Sequence, residues 1–406
     1  MNFKIFILSL CFLSNAWSHA GETQSQTVLT DLSSAKAVNG IILAQDELLN
    51  IAVTRLTADQ VNKISEYSHT QNKCAGFEVL TAQEAAQPEK IVTNLKTVQQ
   101  SMYVLSPLAL GNQVTYDASY AKLAAQADPL FLQSTIAWLS SYPNRWHKSK
   151  TPDLHVDDLQ IKLNTWLKDA PWKYTIEKIS HTSTRQSTLK LTITGSVRPK
   201  EIVVLGAHLD SINQSAEFPF IGSAAAPGAD DNASGSSNLI ETLKILKQVN
   251  SFERTLEFYW YAGEEGGLLG SAEVARTAKS KNENIIGVLQ LDMTLFPGDG
   301  EQVISLMDDF TSPWLNTFIT ELNDVYVKAR VIHSKCGYAC SDHASWNKQG
   351  YHAVIPFESS MANMNPKIHS AKDIINPQSS FTHSSSFTKL ATLFALTLGN
   401  SSIKAP

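Results

Sequence analysis

The stretch EIVVLGAHLDS, residues 201–211, decides the fold. A near-continuous apolar run ends there in His208 and Asp210. Such a run reads as a strand buried on both faces, which requires a sheet covered by helices on each side. Its polar end then lies at a sheet edge, where open α/β sheets form their ligand sites. The pattern recurs downstream. Asp231 stands in PGADDNASG (227–235), Glu264 and Glu265 in WYAGEEGG (260–267), Asp292 in VLQLDM (288–293) and His369 in NPKIHS (365–370). Two imidazoles and three carboxylates, with a fourth carboxylate left over, suit a pair of divalent ions sharing one bridging ligand. The mixture of nitrogen and oxygen donors favours zinc over magnesium or calcium.

Outward from this stretch, strands and helices alternate. Strands are predicted at STLKLTITG, TLEFYWYA, IIGVLQLDM and HAVIPFES. Amphipathic helices are predicted at PLFLQSTIAWLSSY, DLHVDDLQIKLNTWLKDA, SGSSNLIETLKILKQV, GLLGSAEVARTAKS, PWLNTFITELNDVYV and SSSFTKLATLFALTLG. The fold class is α/β. One three-layer α/β/α domain is expected, with a mixed, mainly parallel central sheet of about eight strands. His208 and Asp210 are two apart, so a continuing strand puts both on one face. In PGADDNASG the spacing alone does not decide between Asp230 and Asp231, and Asp230 or Asn232 can instead cap the following helix.

Seven motifs then stand in order: GAHLDS, APGADDNASG, YAGEEGGLLGS, LQLDM, CGYACSDHASW, PFES and NPKIH. From about residue 130 to about residue 400 the chain resembles the secreted bacterial leucyl aminopeptidases that use two zinc ions. The resemblance implies roles. Asp231 bridges the ions. Glu265 and His369 complete one site, and His208 and Asp292 the other. Asp210 orients the imidazole of His208. Glu264 is the general base that activates water and returns the proton to the leaving amine. Tyr338 stands beside the metals to meet the oxyanion. His343 falls outside the ligand set. Met293, Ile355, Phe357, Met361, Met364 and Ile368 are candidates to line a pocket for a large hydrophobic first residue. The family's pocket is more aromatic where this chain has Met361 and Met364.

Composition fits an enzyme of this kind. The chain has 406 residues, is 43% hydrophobic and carries a net charge of -5. No basic block suggests nucleic acid. A secretory signal is expected over residues 1–20, with Lys4 ahead of an apolar run and Ser18-His19-Ala20 as the cleavage site. That run is far short of the ~20 residues a membrane span needs, so no stable membrane insertion is expected. The protein is expected outside the cell or in the periplasm, as a monomer acting on peptides. Cys336 and Cys340 are close enough to bridge in a tight loop, which an oxidising compartment favours over thiolate ligation of zinc.

Residues 21–110 carry none of the candidate ligands and end at a Pro/Gly-containing boundary. They are expected to form a removable propeptide acting in cis on a peptidase domain of residues 111–400, with residues 401–406 as a tail. A permanent accessory domain is the alternative. Cys74 would leave with the propeptide. A glutaminyl cyclase-like or a carboxypeptidase-like enzyme on the same scaffold is the alternative function. Five ligands speak against the first, and the lack of a basic cluster near the motifs against the second.

Overall fold

The computed structural model describes residues 25–70, 76–105, 114–214, 216 and 223–406. The predicted signal peptide, Cys74 and the boundary near residue 110 lie outside these residues.

The N-terminal unit runs β1 (Gln26–Asp31), α1 (Leu32–Ala37), β2 (Ile41–Asp46), β3 (Ile51–Leu56), α2 (Ala58–Thr70), β4 (Phe77–Val79), α3 (Ala82–Ala85) and α4 (Pro88–Leu105). Its strands form an antiparallel sheet in the order β2-β3-β1-β4. Val28, Val38, Leu56, Ile64 and Phe77 make a core of its own.

The second unit follows with α5 (Ala118–Ala124), α6 (Pro129–Leu139), α7 (Leu154–Trp166), β5 (Tyr174–Ile179), β6 (Thr188–Ile193), β7 (Arg198–His208), α8 (Ala233–Leu246), β8 (Arg254–Tyr261), α9 (Leu269–Ser280) and β9 (Asn284–Gln290). It ends with β10 (Val303–Met307), α10 (Pro313–Leu322), β11 (Arg330–Ser334), α11 (His343–Lys348), β12 (Ala353–Val354), β13 (Pro356–Phe357) and α12 (Phe381–Asn400). The expected mixed sheet between helices is present. Its strands divide into a six-stranded sheet, β12-β9-β7-β8-β6-β5, and a three-stranded one, β11-β10-β13. The run HAVIPFES therefore supplies two short strands to two different sheets, with Ile355 between them.

Alternation explains why both faces are covered. Val203, Leu205 and Ala207 join the large core with Leu256, Phe258 and Trp260. Ile202 and Val204 join the opposite core with Tyr259 and Tyr261. Successive strand residues point to opposite faces, and here both sets are apolar. The first face carries α8 and α12; the second carries α9, through Val274, Ala275 and Ala278, and α11, through Trp346. Within α12, Phe387, Leu390, Leu393 and Phe394 are fully buried, each worth roughly 1.5–3 kcal/mol. That helix is core. Among the described residues no helix is long and apolar enough to cross a membrane.

The N-terminal unit docks on the second. Leu29, Val53, Leu80 and Leu95 share a core with Leu268, Phe310, Ala339 and Ala344. The Val79 N–H donates to the Gly267 carbonyl at 3.1 Å. The Lys348 side chain is 6% exposed and lies between Glu78 at 2.8 Å and Glu84 at 3.0 Å. A buried ion pair of this kind fixes orientation more than it adds affinity.

Candidate metal centre

Three neighbouring parallel strands deliver the site. The pairs β7·β8 and β7·β9 are parallel, with His208 level with Tyr261 and Gly206 level with Gln290. Their C-terminal ends therefore meet at one edge. His208 ends β7, Glu264 and Glu265 follow β8 by three and four residues, and Asp292 follows β9 by two. Asp231 stands just before α8, and His369 in the loop ahead of α12.

The five candidate ligands converge in two groups, His208–Asp231–Asp292 and Asp231–Glu265–His369, all buried. Asp231 belongs to both. Its Oδ1 lies 3.0 Å from His208 Nε2 and its Oδ2 lies 2.7 Å from His369 Nε2. Asp292 Oδ1 is 3.3 Å from His208 Nε2, and Glu265 Oε2 is 3.0 Å from His369 Nε2. Donor atoms about 2.0–2.1 Å from a tetrahedral zinc stand about 3.3 Å apart, so these groups fit that ion. Glu265 Oε1 and Glu264 Oε1 are buried without hydrogen-bond partners, which a protein avoids unless a ligand claims them.

Neighbouring groups hold His208, Asp231, Glu265 and Asp292 in place. The Asp210 carboxylate accepts the N–H of Glu264 at 3.0 Å and of Glu265 at 3.3 Å. His208 Nδ1 is 3.2 Å from the Asp210 carbonyl and 3.5 Å from its Oδ1. Asp210 thus ties the end of β7 to the Glu pair as well as facing the imidazole. The pair forms one 3₁₀ turn between Gly263 (φ 62°) and Gly267 (φ 105°), angles that only glycine adopts without cost. Ser341 Oγ donates to Asp292 Oδ2 at 2.6 Å. Asp373 accepts the N–H groups of Asp230 (3.1 Å) and Asp231 (3.0 Å). Met293 (φ 55°) and His369 (φ 53°) are left-handed without being glycine, at a cost on the order of 1–3 kcal/mol each. Such strain gathers at functional sites.

The electrostatics follow from burial and crowding. Burial opposes a charged His208, but Asp292 and Glu264 outweigh it and raise its pKa well above the usual value. His369 is raised in the same way by Glu265 and Asp231 against its burial. Burial also lifts Glu264 well above the carboxylate range; Glu265, Asp342 and Asp292 add to this and His208 opposes it. Asp231 goes the other way: burial would raise it, yet His369 and His208 hold it low. A centre with this much buried anionic charge calls for cations.

Sequence-predicted residues mostly meet here. Tyr338 is buried between Cys336 and Cys340, which are disulfide-bonded. Met293, Ile355, Phe357, Met364 and Ile368 form one apolar cluster with Tyr338 and the disulfide, and Met361 packs on it half-buried. Met307 joins this cluster unforeseen. His343 is buried outside both ligand groups. Asp373 and Ser341 were also unforeseen. Asp373 lies four residues after His369, a spacing that gives no signal in a loop.

A mixed α/β sheet whose carboxyl edge carries two fused His/carboxylate groups defines a metallohydrolase class. Residues 189–392 match the description "Peptidase family M28", and the chain belongs to that family. It is a metallo-aminopeptidase. It is 34% identical over 290 residues to a probable leucine aminopeptidase of Arthroderma otae, covering 70% of this chain and 78% of that one. It is 33% identical over 323 residues to leucine aminopeptidase 1 of Aspergillus fumigatus, covering 74% and 78%. The fold is similar to that of LapB from Legionella pneumophila, with a TM-score of 0.79, 24% identity and coverage of 93% and 100%.

Proposed function

We propose that the chain is a two-zinc aminopeptidase that removes large hydrophobic, leucine-like residues from peptide N-termini. The observation that carries this is Asp231, whose two carboxylate oxygens face the imidazoles of two separate ligand groups. The named relatives are a probable leucine aminopeptidase and a leucine aminopeptidase, and the cluster next to Asp292 and His369 is apolar, as a site for such a side chain would be. Two bound zinc ions would supply Lewis acidity and lower the pKa of the attacking water. Asp231, Glu265 and His369 would hold one, and Asp231, Asp292 and His208 the other. Glu264, beside the ligands but in neither group, takes the proton from water and gives it to the leaving amine. Tyr338 donates a hydrogen bond to the developing oxyanion. The glutaminyl cyclase-like and carboxypeptidase-like alternatives are not favoured.

The test is metal removal with a panel of aminoacyl amides. Chelation is expected to abolish hydrolysis and two equivalents of zinc to restore it. Leucine, methionine and phenylalanine amides should outrun alanine and charged ones. Full activity in a metal-free preparation would overturn the mechanism.

We also propose that the protein is exported and that residues 21–110 are a pro-segment. Support comes from the separate sheet and core of the N-terminal unit, and from where it docks. Its contacts fall on Gly267 and Leu268, just after the Glu pair, and on Ala339, next to Tyr338. A unit seated there is placed to restrain both catalytic loops. Cutting the exported chain near residue 110 is expected to raise the rate on leucine amide and on a longer peptide. Equal rates before and after cutting, on both substrates, would give the unit a permanent structural role.

A further inference from the structure

Arg145 is fully buried, yet every hydrogen bond of its guanidinium found among the described residues goes to a backbone carbonyl. Nε donates to Leu209 at 2.9 Å, Nη1 to Leu139 at 2.9 Å and to Pro227, and Nη2 to Gly228 at 2.9 Å. Leu209 lies between His208 and Asp210. Pro227 and Gly228 open the loop that carries Asp231. Gly228 has a φ of 52°, and a Cβ built on it would stand 2.4 Å from the Asp231 carbonyl and 2.8 Å from Arg145 Nη2. No space separates the guanidinium, the loop and the backbone of the bridging ligand.

The backbone of Arg145 is tied in as well. Its N–H donates to Ser211 Oγ at 3.3 Å, and its carbonyl accepts from Gln186 Nε2 at 3.1 Å. Gln186 Oε1 accepts the N–H of Gly263 at 3.0 Å, one residue before Glu264. The Arg145 side chain therefore joins the segments of His208 and Asp231, and its backbone reaches that of Glu264 through Gln186. Its charge has a second effect. Burial works against it, while Asp373, Asp210, Asp231 and Glu265 favour it.

We propose that Arg145 is a positioning residue that sets the distance between His208 and Asp231, and so shapes the ion site formed by His208, Asp231 and Asp292. The proposal rests on the two-metal reading above. Arginine suits the task because its planar fork serves several acceptors at fixed angles. Lysine offers the same charge as a point on a flexible stem. Charge and geometry can therefore be separated by substitution.

The experiment uses the full chain, stripped of metal, as wild type, Arg145→Lys and Arg145→Met. Each is titrated with zinc by calorimetry, and with cobalt followed by its visible absorption. Repeating the titrations in the His369→Ala and His208→Ala backgrounds isolates one ion site at a time. Arg145→Lys is expected to keep the fold by circular dichroism but to bind the His208-side ion about 10- to 100-fold more weakly, as loss of a supporting contact does elsewhere. Its cobalt spectrum should change at that site and much less at the His369 side. Arg145→Met should lose more; if it fails to fold, Arg145→Lys alone decides. Wild-type affinity and spectrum in Arg145→Lys would show that only the charge matters and overturn the proposal. Equal losses at both sites would overturn it too, as a general packing defect. A wild-type chain that binds no zinc in these titrations would sink the two-metal reading and this proposal with it. A wild type that binds two ions beside an unaffected Arg145→Lys would sink the proposal alone.

Discussion

Glu264→Ala is expected to lower turnover by roughly 10²- to 10⁴-fold while the zinc content stays unchanged. The two adjacent glutamates look alike in the sequence but not in the structure. Glu265 Oε2 faces His369 and belongs to a ligand group; Glu264 belongs to neither. Its backbone N–H is held by Asp210, so the turn has an anchor that does not depend on the Glu264 side chain. Burial and the surrounding carboxylates raise its pKa, so it resists losing a proton, and two cations nearby would lower that pKa by favouring the carboxylate. A base poised near the working pH is the one that transfers protons best. Glu264→Gln should behave like the alanine variant, because it keeps the shape and removes only the proton acceptor. The measurement pairs zinc content by atomic absorption with kcat on leucine amide. Loss of zinc in either variant would mean that Glu264 and Glu265 have exchanged roles.

The sheet and its ligand-bearing edge were legible because they depend on local rules. An apolar run of strand length ending in His208 can be buried only between helices, and Glu264, Glu265 and Asp292 repeat the arrangement on β8 and β9. Parallel neighbours then bring these ends together without any further information. Other features depend on contacts distant in the chain. Arg145 and Asp373 act through backbone groups, so their side chains follow no spacing rule relative to the ligands. The strands β1 to β4 of the N-terminal unit, and β5, β10 and β11, were not foreseen either. In β5 the burial alternates between half-exposed and exposed positions, and β11 likewise has no fully buried residue, so neither shows a strong apolar run. β10 is buried throughout but only five residues long, too short to stand out by periodicity. The docking face of the N-terminal unit was hidden for another reason. It uses Leu268, Phe310, Ala339 and Ala344, four apolar residues that read individually as ordinary core.

The proposed bridging ligand shows the limit most clearly, and it sets the second large effect. Asp230 and Asp231 are adjacent, and spacing could not choose between them. The structure turns them to opposite sides. Asp231 sends one oxygen to each imidazole. Both oxygens of Asp230 are already engaged, Oδ1 by the Leu295 N–H and Oδ2 by the Asn365 side chain, each at 3.0 Å. Burial and the negative Asp231 beside it raise the pKa of Asp230 to about 6, against opposing hydrogen bonds from Glu358 and Asn365. Asp231→Asn should therefore weaken both zinc ions at once, since an amide offers only one oxygen and no charge to the pair. His208→Ala and His369→Ala should each weaken one ion. Asp230→Asn removes no donor from either group and disturbs only the support behind the loop, for which a loss of roughly 10- to 100-fold in affinity is the upper range. Zinc titrations of the four variants would rank them, with Asp231→Asn the only one to lose both ions together. If Asp230→Asn matched or exceeded it, the bridge would have to be assigned to Asp230, and the convergence of the two groups on Asp231 would need another explanation.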